Sequence, residues 1–369
     1  MSRQRDERPR VQRKAWIVAN TSDRLRVVVA TPLAEQHCKL IERLEPRIEL
    51  VRDQSLYPPM RHPADFSGDP SFRRTPDQQR AFEQMLDSAK VLYGIPDVDP
   101  AALRRTADAN PGLRWVQTMA AGGGGQVKAA GLTEEQLRRI IFTTSAGVHG
   151  GPLAEFAVFG VLAGAKDLPR LLAQQRDRNW PGRWEMRQIS EMTVLVVGLG
   201  GIGQQVAQKL SALGATIIGT SRHGRPIEHV DRLVQVGDLE STVPQADAIV
   251  LTLPGTAATD KLIGAELLAA VKPGTILVNV GRGTVVDEEA LLAALRDGRI
   301  SFAALDVFAT EPLPPDSPLW GEPNLLVSPH TAALNAAEDR LIAELFATNA
   351  TRFLDGDELA NKVDTVDFY

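Results

Sequence analysis

Cysteine is almost absent from this chain: Cys38 is the single one in 369 residues. A disulfide within the chain and a cysteine-based metal centre are both excluded, and a reducing, cytoplasmic compartment is the expectation. An excess of either charge is also missing. The 41 basic and 46 acidic residues leave a net charge of −5, so nothing draws the protein generally to nucleic acid or to an anionic membrane. No apolar run reaches membrane-spanning length. Residues 1–24, beginning MSRQRDERPRVQRK, lack the apolar core of a signal peptide. Asp6 and Glu7 argue against an arginine-rich presequence, and the segment reads as a solvated extension. No repeat and no low-complexity tract occurs beyond AAGGGG at 120–125.

What is present centres on Val194-Leu195-Val196-Val197-Gly198-Leu199-Gly200-Gly201-Ile202-Gly203. Four apolar residues run into G-x-G-x-x-G, and Ile202, Val206 and Leu210 follow on one helical face. Strand, turn and helix form the context that gives this pattern meaning. Gly198 allows the turn, Gly200 lets backbone approach a pyrophosphate, and Gly203 permits close helix–strand packing. Phosphates would rest on the free N–H groups of the helix start. The plainer alternative is a glycine turn in an ordinary α/β protein.

The length suggests about two domains. Before the glycine turn, strands are expected at 27–30, 48–51, 89–93, 114–118 and 140–144, with a helix at 100–109 and a long Pro/Arg/Asp-rich loop or insertion at 52–80. A long apolar helix over 152–175 reads as a connector. A second strand series follows at 194–197, 216–220, 247–253, 275–279, 302–306 and 325–328, with a helix that Asp287 caps and Gly298 ends. A last helix at 335–354, carrying Leu341, Leu345 and Phe353, comes too late for the second sheet and is expected on the first domain. Alternating strands and helices imply parallel βαβ units. The fold class is α/β: two doubly wound parallel-sheet domains, the second inserted into the first. The boundaries are 25–151 plus 335–369 for a substrate domain and 152–334 for a Rossmann NAD(P)-binding domain, facing each other across a cleft.

Three polar residues follow apolar strands: Arg282 in NVGRGTVVDEEAL, Glu311 in ALDVFATEPLP and His330 in SPHTAA. Carboxyl ends of parallel strands are where ligands bind in such sheets. A guanidinium fork can bind a carboxylate and polarise a carbonyl beside it. Hydride transfer makes an alkoxide that needs a proton, and imidazole is the natural donor near neutral pH. A carboxylate beside it would stabilise the imidazolium and fix the ring. Each residue also has a plainer reading, as a surface ion pair, a solvated loop acid and a buried structural histidine.

In the order and spacing of these motifs, over roughly residues 85–350, the chain resembles the D-isomer-specific 2-hydroxyacid dehydrogenases. SPLW and DLPRLLAQQRDRNW are more similar to a glyoxylate/hydroxypyruvate reductase-like branch. The resemblance implies an NAD(P)-dependent oxidoreductase interconverting 2-oxo acids and D-2-hydroxy acids, a flavodoxin-like substrate domain and a homodimer. It makes Arg282, Glu311 and His330 catalytic, with Arg282 and His330 also touching substrate. It places Asp306 against the nicotinamide amide and the backbone amides of Ala120, Ala121 and Gly122 on the substrate carboxylate, although Gly123-Gly124 departs from the commoner Val-Asp. The cofactor-binding set is Gly198, Gly200, Gly201, Ile202, Gly203, Ser221, Arg222, Arg225, Leu253, Pro254, Val280, Gly281 and Asp306. No metal is expected.

NAD enzymes place an acid after the second strand to hold the ribose 2′-hydroxyl. Here that position is Ser221, followed by Arg222-His223-Gly224-Arg225. No carboxylate repels a 2′-phosphate, and Arg222 and Arg225 can pair with one, so NADP(H) is preferred, with NAD(H) possible. Rival readings are a nucleotide-sensing, corepressor-like binding protein and a dehydrogenase of another substrate class, such as an amino-acid or phosphite enzyme.

Overall fold

The computed structural model describes residues 24–366 and 368, apart from 222 and 223. The extension read over residues 1–24 thus falls, except for Arg24, outside the described residues, and so does Arg222. The chain divides into two compact units. One runs to Ser145 and resumes at Ala337; the other is Ala146–Ala336.

The first unit holds the parallel strands β1 (Leu25–Val29), β2 (Ile48–Val51), β3 (Val91–Tyr93), β4 (Trp115–Gln117) and β5 (Ile141–Thr143), in the order β2-β1-β3-β4-β5. That is the flavodoxin-like order. Val27, Val28, Val91 and Leu92 are fully buried, as a parallel sheet covered on both faces requires. The 52–80 segment is not all loop. A helix, Pro76–Asp87, begins inside it, with a capping box between Thr75 and Gln78. The Pro- and Arg-rich sequence around it hides this start signal.

The second unit holds β6 (Thr193–Val197), β7 (Thr216–Thr220), β8 (Arg232–Val234), β9 (Ala248–Leu251), β10 (Thr275–Asn279), β11 (Ile300–Leu305) and β12 (Leu325–Val327). They form one sheet in the order β12-β11-β10-β9-β6-β7-β8. Read from β8, this is the dinucleotide-binding order 3-2-1-4-5-6 with one further strand. The two doubly wound parallel sheets expected from the strand–helix alternation are thus both present. The edge strand β8 was not anticipated; it has three residues, none fully buried, too few to show a pattern.

The expected helix over 152–175 is two helices, Gly150–Ala165 and Leu168–Arg176, separated where Asp167 turns left-handed at φ 55°. The first is a core element of the second unit rather than a mere connector. A Cβ on Gly160 would stand 2.8 Å from Val278 and one on Gly164 2.7 Å from Ile276, so glycine lets this helix lie flat on β10. Asp287 caps the helix Glu288–Arg296 by accepting from the N–H groups of Glu289 and Ala290, and Gly298 follows it at φ 79°. Among the described residues, no helix is long and apolar enough to cross a membrane.

Candidate active site

The glycine turn leaves β6 at Gly198, whose φ is 102°. Two threonines that the sequence motif does not include hold it there. The N–H of Gly198 donates to Thr220 Oγ1 at 2.8 Å, and Thr252 Oγ1 donates to the Gly198 carbonyl. A Cβ on Gly203 would sit 1.9 Å from that carbonyl oxygen; only hydrogen fits. Gly200 caps the helix Gly201–Ala212 without any side-chain hydrogen bond, and no atom stands within 4 Å of where a Cβ on Gly200 or Gly201 would be. Uncapped N–H groups facing open space suit an anionic phosphate.

The next strand ends complete this edge. Leu253 and Gly281 meet: a Cβ on Gly281 would lie 2.5 Å from the Leu253 carbonyl oxygen. Val280 is buried beside it, whereas Pro254 and Arg225 are exposed. Ser221 donates its N–H to Val234 O at 3.1 Å and is half-buried.

The Arg282 turn is built by Asn279, a buried residue at the end of β10. Asn279 Oδ1 accepts from Gly281 N at 3.0 Å, and its Nδ2 donates to Arg282 O at 3.0 Å. Arg282 is exposed, and its guanidinium folds back to donate to Gly281 O at 2.7 Å. Gly283 then passes hard against the segment after β11: a Cβ there would stand 1.8 Å from the Phe308 carbonyl carbon. Glu311 is held in that segment, its Oε1 accepting from Phe308 N at 2.9 Å. Its Oε2 meets His330 Nδ1 at 2.7 Å.

A carboxylate only accepts, so Nδ1 carries the hydrogen and Nε2 is the ring atom left for a second proton. The structure therefore joins Glu311 to His330, while Arg282 is bonded to its own turn. His330 sits at φ 53°, a left-handed conformation that costs a side-chain-bearing residue about 1–3 kcal/mol. Neighbours hold it there. Asp306, fully buried, accepts at Oδ1 from Ser328 Oγ at 2.5 Å and from the N–H groups of Thr331 and Ala332, both at 3.0 Å. Its Oδ2 is buried and has no hydrogen-bond partner among the described residues. An acceptor so placed fits the amide N–H of a nicotinamide, as the glycine turn fits a pyrophosphate. Asn279, Ser328, Thr220 and Thr252 went unnoticed in the sequence. Each is a small polar residue at or just past a strand end, a weak but readable signal.

Ala120, Ala121 and Gly122 belong to the first unit, in the loop after β4. The Ala120 carbonyl accepts from Gly123 N at 3.3 Å and Ser145 N at 3.4 Å, and Gly123 is pressed against Thr118, where a Cβ would lie 1.8 Å from Oγ1. The amides of Ala120, Ala121 and Gly122 donate to no backbone carbonyl among the described residues. Cys38 is buried, and burial pushes its thiol up to about 12, so it offers no thiolate chemistry. Among the described residues, no group of three or more His, Cys, Asp or Glu side chains could hold a metal ion.

A glycine turn open to phosphate at the head of a helix, on a sheet of this order, defines a dinucleotide-binding protein. Residues 158–332 match the NAD-binding domain of the D-isomer specific 2-hydroxyacid dehydrogenases. The chain is 33% identical over 288 residues to a glyoxylate reductase of Thermofilum pendens, covering 76% of this chain and 83% of that one. It is 35% identical over 263 residues to the D-3-phosphoglycerate dehydrogenase of Mycobacterium tuberculosis, but spans only 49% of that protein's length. A D-isomer specific 2-hydroxyacid dehydrogenase of Xanthobacter autotrophicus, solved with NADPH and MES, superposes with a TM-score of 0.74 at 28% identity, over 94% of this chain and 100% of that one. The protein belongs to the D-isomer-specific 2-hydroxyacid dehydrogenase family, and so to the NAD(P)-dependent oxidoreductases.

Proposed function

We propose that this protein is an NADPH-preferring reductase of a small 2-oxo acid of the glyoxylate or hydroxypyruvate kind, producing the D-2-hydroxy acid. The observation that carries this is the 2.7 Å contact between Glu311 and His330, an acid–base pair that a nucleotide sensor has no need to keep. The Gly198–Gly203 turn and Asp306 would hold a reduced nicotinamide dinucleotide, which would supply the hydride for the carbonyl carbon. Arg282 binds the substrate carboxylate with its fork and polarises the carbonyl oxygen. His330 delivers the Nε2 proton to that oxygen, and Glu311 holds the ring while its charge changes. The amides of Ala120, Ala121 and Gly122 take the carboxylate's remaining lone pairs. In the oxidative direction neutral His330 accepts the proton, so oxidation gains as pH rises.

NADPH preference is supported by Ser221 standing where an acid would hold a ribose hydroxyl, and by Arg222 and Arg225 after it. The NADPH bound to the Xanthobacter relative agrees. A homodimer completes the reading, and the exposed Phe159, Leu172 and Trp180 of the second unit offer it apolar surface. The test is NADPH oxidation with a panel of 2-oxo acids, 3-phosphohydroxypyruvate included. Activity should appear with a small 2-oxo acid and fall about 10²–10⁴-fold in His330→Ala. Tight NADPH binding with no turnover of any member would favour a sensor instead.

A further inference from the structure

We propose that Asp306 is the positioning residue for His330: its Oδ1 clamps the chain on both sides of the histidine and so aims the imidazole at Glu311. The inference rests on His330 being the proton donor. Asp306 follows β11 directly and is itself fixed, its N–H donating to Asn279 O at 3.0 Å. Ser328 precedes His330 by two residues; Thr331 and Ala332 follow it. All three donate to the one oxygen, at 2.5, 3.0 and 3.0 Å. A hydroxyl and two amides converging on a single atom call for the strong acceptor that a carboxylate provides.

The residue enclosed by these bonds is the one that needs them. At φ 53° a histidine released from the clamp relaxes toward ordinary backbone, and the ring moves with it. Glu311 cannot prevent this alone, because it holds the ring by one bond at 2.7 Å and both side chains are partly open to water. The ring is therefore set from two ends, by Asp306 through the backbone and by Glu311 through Nδ1. The buried Oδ2, with no partner among the described residues, leaves the same carboxylate one acceptor that a nicotinamide amide would suit. Asp306 would thereby tie the place of a bound nicotinamide to the place of the proton donor.

The deciding experiment reads the imidazole directly, by NMR of cofactor-free protein carrying ¹⁵N-histidine, with His330 assigned by its loss in His330→Ala. Wild type should show the Nδ1–H tautomer bonded to Glu311. Asp306→Ala should lose that signature, and Asp306→Asn, which keeps an oxygen for the turn, should restore it. Kinetically, Asp306→Ala should lower kcat about 10²-fold, the scale of a misplaced catalytic group, and alter the pH profile of kcat, with little change in KM for the oxo acid. If Asp306→Ala does not fold, Ser328→Ala removes one donor and should shift the His330 signal the same way by less. An unchanged His330 spectrum in the variant that folds overturns the proposal. A wild-type protein that reduces no 2-oxo acid overturns the functional reading instead, and the spectrum still decides whether Asp306 sets the ring.

Discussion

Two glycines show how much a single hydrogen in place of a side chain controls here. Gly203 is visible in the sequence because the dinucleotide pattern has a place for it, and the 1.9 Å approach to the Gly198 carbonyl oxygen supplies the reason. Gly283 is just as constrained, yet nothing in GRGTVV says so, because its neighbour comes from a segment some 25 residues later. The obstacle at Gly283 is backbone, which cannot rotate away. Gly283→Ala should therefore separate the Arg282 turn from the Glu311 segment. We expect a loss of about 1–3 kcal/mol by urea denaturation and about 10²-fold in kcat/KM. A variant as stable and active as wild type would show that the two segments part without consequence.

Helices show where one-dimensional pattern falls short. The final helix, Glu338–Asp355, belongs to the first unit and packs through a face one residue round from Leu341 and Leu345. Ile342, Ala343, Phe346, Asn349 and Ala350 are its fully buried residues. Phe346 stacks on Trp115 at 4.8 Å and meets Tyr93 edge-on at 5.1 Å, and these rings from β3 and β4 choose the face. The helix is also tied by Glu45, buried after the helix Glu35–Leu44. Glu45 accepts from Thr351 Oγ1 at 2.6 Å and from Arg47 at 2.7 and 2.8 Å. The Arg47 guanidinium beside it lowers its carboxyl from 4.5 to about 2. A depressed acid stabilises the fold above its unfolded value, and that contribution is lost as pH falls from about 4.5 through about 2. Glu45→Gln should cost about 2 kcal/mol at neutral pH, and the gap in urea midpoints should close as pH falls through that window. A gap that persists at the acid end would mean the charge is not what matters.

At the scale of the whole molecule, the proposal becomes a statement about which ligand stabilises the fold. A ligand bound only by the native state raises stability by about 2.7 kcal/mol at 100 times its Kd. NADPH should therefore raise Tm well above the shift that an equal concentration of NADH gives, and Arg222→Ala should shrink the difference. Equal shifts would remove the case for NADPH. The alternation of strand and helix, the glycine turn and the interruption of one α/β unit by another were all legible, because they follow from hydrophobic period and from glycine's freedom, which are local. Arg282, Glu311 and His330 were legible as candidates because strand ends announce themselves. The strand β8, the break at Asp167 and the helix that begins inside residues 52–80 were not, since short or capped elements carry little periodic signal. The sequence by itself thus determined the class of fold, the dinucleotide turn and the residues available for chemistry. Only the tertiary structure decided that Glu311 meets His330 while Arg282 is held by Asn279, and that Asp306 clamps the histidine turn. The contacts of Glu311 and Asp306 with the His330 turn span 19 to 26 residues between the ends of paired strands, and hydrogen-bond partners across a sheet edge are set by packing rather than by any pattern along the sequence.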